Sequence, residues 1–497
     1  MVRIPHPHIP HLTLRQVKVV RLYSLLALMS VLVLYAVFRS HRFQELMRRK
    51  SEKILTQAAG RAVTIGGFDL SLVPPAFIVR DVAVANDPRG LPGNAFSAAE
   101  IEVQGIPRVS SGSVDLPKLR VVGPRLVFEV FPDGTTNFSS LFPKLASPDG
   151  SGFDIRLREA VIQKGTYRFR DWRGKLDVLL KDSALIARSE LFSRVTRATF
   201  LCRSVRFKLD DGEELAFALR TDAVLSPGRV HFSRITIRGR ALSVDATGGI
   251  EDVKNPVLTL LAKTSFTGET LRKHFGVDLP LDGAVKARAS VRIPSGKPFQ
   301  VRGVFEVPSA RFGPFPMSGT GLIRVDRDGL LVDLPGLEYA GGTLEASVHL
   351  SRLDHPPVPV QITVKGRNVD FERFFADIDL PSTGLMARAD VDTTLTFGPG
   401  GIEHANGVGT LLLRPDPGRP SAVKGRHAIP VAGGGPLTVR DGKIVFDSTP
   451  LVTAGGVEMT FDGTLAFGSW TPDFRIQIDA VDLKEVERLA DNLYPAI

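Results

Sequence analysis

The hydrophobic pattern changes its period along the chain. From Leu22 to Phe38 (LYSLLALMSVLVLYAVF) apolar residues run for 17 positions without charge, Gly or Pro. That is near the lower limit for a helix crossing a hydrocarbon core. Tyr23 and Tyr35 stand near its two ends, where amphipathic rings favour the headgroup level. A soluble helix carries a polar face, and this run has none. A secretory signal ends in a small-residue cleavage pattern, which Phe38-Arg39-Ser40-His41-Arg42 does not supply. The run predicts an uncleaved membrane anchor, with Leu22, Leu25, Leu28, Leu32, Leu34 and Phe38 among its anchor residues.

Over 41–59 the spacing becomes helical. Phe43, Leu46, Met47, Ile54, Leu55 and Ala58 recur with Arg and Lys between them, and Gly60 is placed to stop the helix. Such a helix lies at a lipid surface or packs on the first strands, and the pattern does not choose.

From Arg61 on, the period is two. Val63/Ile65, Phe68/Leu70/Leu72, Phe77/Val79, Val82/Val84, Ile101/Val103 and Leu126/Phe128/Val130 alternate with other residues. Asp-Gly pairs tolerate the positive φ of tight hairpins, so Asp133-Gly134, Asp211-Gly212, Asp328-Gly329, Asp441-Gly442 and Asp462-Gly463 predict turns. Three later stretches, 246–276, 339–377 and 453–491, share one order: Gly-Gly, strand, Pro-containing turn, strand, short amphipathic helix. The first two helices are followed by similar returns to strand, DLPLDGAVKARASV and DLPSTGLMARADVD. A third helix in that place is positioned to cover the open edge of the last strand.

The pattern therefore predicts a mostly β protein: a single N-terminal transmembrane helix, then an elongated, twisted antiparallel sheet with short interspersed helices. Roughly 25–30 strands at ~4.8 Å cannot stay flat and must curl. Strands such as VLTLLA (257–262), VQITV (360–364) and FRIQI (474–478) bury at least one face. Pattern alone leaves a filled sandwich and an open apolar groove equally placed.

Charge narrows the partners. The formal net charge is +10, but residues 1–60 hold ten Lys/Arg against Glu45 and Glu52. The other 437 residues carry 53 basic and 51 acidic groups. Basicity therefore brackets the apolar run, where anionic lipid heads are its natural partner. A nearly neutral remainder argues against nucleic acid. Cys202 is the single cysteine, which excludes an intramolecular disulfide and a cysteine-based zinc site. The Pro-punctuated tail MVRIPHPHIPH offers His6, His8 and His11 but no fixed geometry for a metal. No G-x-S-x-G, G-x4-G-K-[ST], H-E-x-x-H or helix-opening G-x-G-x-x-G is present. The acidic pairs Asp210-Asp211 and Glu213-Glu214 read as a solvated hairpin tip. The chain thus reads as non-enzymatic and without a cofactor or metal.

Two blocks carry a family resemblance. GRAVTIGGFDLSLVPPAFIVRDVAVAND (60–87), with Gly60-Arg61, Leu70-Ser71-Leu72 and a strand ending near Asn86, resembles the opening of the AsmA family of bacterial envelope proteins, in the bridge-like lipid-transfer superfamily. PRLVFEVFPDGTTNFSSL (124–141), with Asp133-Gly134 and Asn137, resembles that family's next motif. The Gly-Gly repeats resemble its C-terminal region, while 150–245 matches in general β character only. The resemblance implies a cytoplasmic tail (1–21), the membrane span (22–38), a juxtamembrane helix (39–59), an AsmA-like N-terminal β region (60–145), a central β region (146–245) and C-terminal β repeats (246–497).

It further implies a single-pass bacterial inner-membrane protein with its large domain in the periplasm. An apolar β-groove would carry phospholipid toward the outer membrane and support outer-membrane homeostasis. The partners are then phospholipid, the inner membrane and other envelope proteins. The positive-inside count opposes this topology, with four Lys/Arg on the N-terminal flank and six on the C-terminal flank. The candidate groove residues are Phe68, Leu70, Leu72, Phe77, Val79, Leu126, Phe128, Val130, Leu258, Leu260, Ile362, Val364, Phe474, Ile476 and Ile478. A structural or assembly factor for outer-membrane proteins, as in TamB-like relatives, is the alternative. An extracytoplasmic hydrolase is the third.

Overall fold

The computed structural model describes residue 29, residues 40–139 and 154–479, and residues 484, 487, 488 and 491. Segments 73, 106–107, 111–112, 191–194, 211, 254, 276–280, 295–298, 327–328, 352–359, 380–383, 399–400 and 419–426 are outside the description. The expected span 22–38 lies outside it too, apart from Met29, as does most of the third repeat's helix. Among the described residues no helix is long and apolar enough to cross a membrane. The chain is mostly β and divides into two compact units, residues 1–205 and 206–497.

In the first unit, helix α1 (His41–Ala59) precedes strands β1 (Val63–Leu72), β2 (Pro75–Ala85), β3 (Asn94–Gln104), β4 (Arg108–Ser110), β5 (Ser113–Val122), β6 (Arg125–Val130), β7 (Asp154–Asp171) and β8 (Leu176–Ser189). The division between units falls inside β9 (Thr196–Leu209). Helix α1 starts at Ser40, whose side chain accepts from the Phe43 N–H. It stops where the pattern predicts, at Gly60, with φ 69° and its N–H donated to the Thr56 carbonyl.

Strand β1 would otherwise present an open edge, and α1 covers it with side chains. Glu52 Oε1 accepts from the Ile65 N–H at 2.7 Å, and Arg48 donates to the Ile65 carbonyl at 3.1 Å. Thr56 Oγ1 accepts from the Val63 N–H at 3.1 Å. Backbone groups that would template another strand are thereby occupied. The sheet is not antiparallel throughout: the long β7 pairs in parallel with β5 and then β6.

The second unit contains β10 (Leu215–Ser226), β11 (Arg229–Gly239), β12 (Leu242–Ile250), β13 (Val257–Thr267), α2 (Gly268–Phe275), β14 (Leu281–Pro294), β15 (Gln300–Phe312), β16 (Phe315–Asp326), β17 (Gly329–Tyr339), β18 (Gly342–Ser351), β19 (Val360–Asp370), α3 (Phe371–Asp377), β20 (Leu385–Phe397), β21 (Asn406–Pro415), β22 (Ile429–Arg440), β23 (Lys443–Thr453), β24 (Glu458–Ala466) and β25 (Pro472–Asp479). Each strand from β10 pairs antiparallel with the next in the chain. The order strand, strand, helix, strand appears at β12–β13–α2–β14 and β18–β19–α3–β20, matching the first two repeats.

The turns follow local chemistry in part. Asp441-Gly442, with φ 46° and 70°, closes a two-residue hairpin between Arg440 and Lys443. Ala340-Gly341 does the same between Tyr339 and Gly342. Asp133-Gly134 is a turn in which the Asp133 carboxylate accepts from the Thr135 N–H. The expectation at Asp462-Gly463 is corrected. Both residues lie inside β24, paired with Arg475 and Phe474. Glycine is needed there because a Cβ would stand 2.6 Å from the Phe474 ring and 2.3 Å from the Asp473 carbonyl oxygen. Gly329 is the first residue of β17, paired with Asp326. Asp211 and Asp328 are outside the described residues.

The second unit curls. Nine of its strand pairings carry register shifts, and such bulges bend a sheet. Phe315 opens β16, and Trp470 follows β24, eight strands on. In a flat sheet they would be ~38 Å apart. Their rings meet edge-on with centroids 4.8 Å apart.

Candidate functional site

Directly paired residues share a sheet face, so the registers trace each face across the second unit. One row runs Ala262–Ala289–Gly303–Ile323–Val332–Val348–Ile362–Leu395, from β13 to β20. Every member is apolar. The neighbouring row on the opposite face runs Leu261–Ser290–Arg302–Arg324–Leu331–His349–Gln361–Thr396 and is mostly polar. The first row continues an apolar wall that also holds Leu258, Leu260 and Val364.

This wall has two states. From Ala262 to Ile362 the members of the row are half-buried. From Leu395 on, the same face is covered by the protein itself. Helix α3 lays Phe371 and Phe375 on it, and they pack with Leu385, Leu411, Leu437, Phe446, Leu451, Met459 and Leu465 in one buried cluster. The rings of Phe375 and Phe446, edge-on to Phe474, and of Phe461, tilted against it, extend it. Of the predicted groove residues, Leu258, Leu260, Ile362 and Val364 are on the half-buried stretch. Phe474, Ile476 and Ile478 pack against the buried cluster.

In the first unit a second apolar wall crosses five strands. Leu70–Phe77–Val103–Leu119–Ala160 and Phe68–Val79–Ile101–Val121–Ile162 are paired rows. Phe77 is exposed on it, while Leu72 is paired with Pro75. Leu126, Phe128 and Val130 lie on β6, which pairs in parallel with the later part of β7. Leu126 pairs with Phe96 on β3. The Phe128 ring is stacked between Phe138 and Phe169, each at 5.7 Å. Alternation within a strand shows that it has two faces, not which of them a distant strand shares.

Comparison with protein-family models, curated proteins and solved structures gives no match.

The blocks that carry the AsmA resemblance converge on a buried carboxyl group that the alternation pattern passes over. Glu129 is fully buried. It accepts from Asn86 Nδ2 at 2.8 Å, the Leu91 N–H at 3.0 Å and Trp172 Nε1 at 3.2 Å. Asn137, equally buried, accepts from the Glu129 N–H at 2.9 Å and donates to Asn86 Oδ1 and the Val127 carbonyl, each at 2.8 Å. Gly90 must be glycine, because a Cβ would sit 2.2 Å from Glu129 Oε2. Beside this knot Arg61 pairs with Asp87 at 3.1 Å, and Arg89 bridges Asp87 and Asp133. The side-chain bond from Arg89 holds the Asp87 carboxyl below its usual range. Hydrogen bonding to Thr135 does the same for Asp133. The arrangement ties the β2–β3 loop to the segment after β6, and its acceptors are used up in doing so. A buried polar network satisfied in this way holds the loop in position.

Cys202 is 2% exposed and donates weakly to the Lys181 carbonyl. Burial raises its thiol above the usual range, which removes the thiolate that reactivity needs. Among the described residues no three His, Cys, Asp or Glu side chains are grouped to hold a metal ion.

Proposed function

We propose that this chain is a membrane-anchored, non-enzymatic lipid-transfer protein of the AsmA-like kind. Its large domain lies in the periplasm and passes phospholipid toward the outer membrane. The observation that carries the reading is the seven-strand apolar row left half-buried between Ala262 and Ile362. A half-buried sheet face of Ala, Val and Ile gains stability when something apolar lies on it. Acyl chains fit that need, with headgroups remaining in water. Resting tails on the wall removes a barrier of about 0.8 kcal/mol per CH₂ that exposure to water would impose. The driving force of transfer is near zero, since wall and bilayer core are similarly apolar.

The covered stretch beyond Leu395 limits where tails rest. Lipid occupies β13–β19 and stops at α3. That sealed stretch also favours the second reading, a structural or assembly factor, if lipid proves absent.

The test is phospholipid extracted from the purified full chain and counted by mass spectrometry. Ile323→Asp and Val348→Asp place charge on the half-buried wall. The proposal expects bound phospholipid in the parent chain and several-fold less in both variants, with circular dichroism unchanged. A folded parent chain free of phospholipid overturns it.

A further inference from the structure

Helix α1 separates its charges by face. Both of its acids are taken up in ion pairs: Glu45 binds Arg48 at 2.7 Å and Arg49 at 2.6 Å, and Glu52 binds Arg48 at 2.8 Å and holds the β1 edge. The outward side follows the i, i+4 ladder Arg42–Leu46–Lys50–Ile54, with Lys53 beside it. Leu46 is 53% exposed and Ile54 63%. Arg42, Lys50 and Lys53 make no ion pair among the described residues. Basic and apolar side chains thus alternate along one free helix face, with no acid among them.

We propose that this face of α1 docks on a bilayer surface carrying anionic lipid. Lys50, Lys53 and Arg42 meet the headgroups, and Leu46 and Ile54 enter the acyl boundary. Three observations select this occupant. The free charges are all positive. Large apolar residues lie between them, which a soluble acidic partner does not require. In the sequence, only Arg39 and Ser40 separate α1 from the uncharged run 22–38. Docking lets the helix do two things at once: one side seals the β1 edge, the other fixes the first unit against the lipid surface. The inference rests on the membrane-anchored part of the proposed function, not on the apolar wall.

The experiment uses the full chain reconstituted in phosphatidylcholine vesicles with or without phosphatidylglycerol. Leu46→Cys and Ile54→Cys are each labelled with an environment-sensitive dye, with Arg173→Cys as an exposed reference; buried Cys202 stays unlabelled. In phosphatidylglycerol vesicles, labels at 46 and 54 should shift to the blue and resist aqueous iodide, while the label at 173 stays quenchable. Lys50→Gln and Lys53→Gln should each lower the docking constant roughly fivefold. Labels at 46 and 54 as quenchable as that at 173, or protection indifferent to phosphatidylglycerol and to both lysines, overturn the inference. Phospholipid counted on Ile323→Asp in parallel separates the two proposals. Its loading reports the wall, and the labels report α1.

Discussion

Helices α2 and α3 occupy the same place in two matching repeats, and they do opposite things. Helix α3 (FERFFAD) turns Phe371 and Phe375 onto the apolar face and stacks Phe374 on Phe315 at 5.5 Å. Helix α2 (GETLRKHF) instead lies along strand ends. Thr270 donates to the Ala241 carbonyl at 2.8 Å, and the Lys273 carbonyl accepts from the Glu213 N–H at 2.8 Å. Its outer side is held by the Glu269–Lys273 pair at 2.6 Å. The strands beside both helices alternate alike. Whether an apolar face stays available is therefore decided by the few aromatic residues of the connecting helix, not by the strands that make the face.

The comparison can be broken by taking those residues away. Phe375→Ala should cost about 3–5 kcal/mol through lost burial and the cavity left behind. It should also free amide exchange in β20–β25 before β13–β18, as hydrogen–deuterium exchange would record. Trp470→Ala removes the ring that joins β24 to Phe315. It should cost about 2 kcal/mol in a denaturant melt and raise bound phospholipid if the sealed end is what stops the tails. Val348→Ala, on the half-buried stretch, should cost only about 1 kcal/mol; a loss equal to that of Phe375→Ala would erase the distinction.

Acid gives the smallest effect and sharpens the contrast. The Glu269 carboxyl is held below its ordinary range by the Lys273 hydrogen bond. A depressed carboxyl lends stability above its ordinary pKa and loses it as pH falls through the folded value. Exchange in α2 should therefore rise on acidification while α3, held by phenylalanines, changes less. The same sign applies to α1, where Arg48 first and Arg49 second hold Glu45 down to about 2. Its contribution should fade between its ordinary 4.5 and about 2, read as loss of helix signal.

Much of this fold was legible because its local rules are strong. The period-two runs, the helix over 41–59, its stop at Gly60 and the turn at Asp441-Gly442 all follow from single-segment chemistry. Asp462-Gly463 misled because glycine serves close approach as well as turns, and only the position of Phe474 decides which. The relation between Phe68 and Phe128 was hidden for another reason. It depends on the parallel pairing of β7 with β5 and β6, which no single strand encodes. Glu129 looked like an ordinary alternating residue in VFEV, and its partners Asn86 and Trp172 are each 43 residues away. The asparagines at 86 and 137 were the available signal, since strand-end asparagines often serve as satisfied polar ties. The covering of the C-terminal face depends on curl, which brings α3 and Trp470 together and cannot be read from alternation.

Site-specific photocrosslinking in intact cells tests the central claim most directly. A benzophenone amino acid is placed at Ile323, at Val348, and in the sealed stretch at Met459. The account predicts phospholipid adducts at 323 and 348 and only protein-internal adducts at 459. Equal lipid capture at all three positions, or none at 323 and 348 in a folded chain, would contradict it.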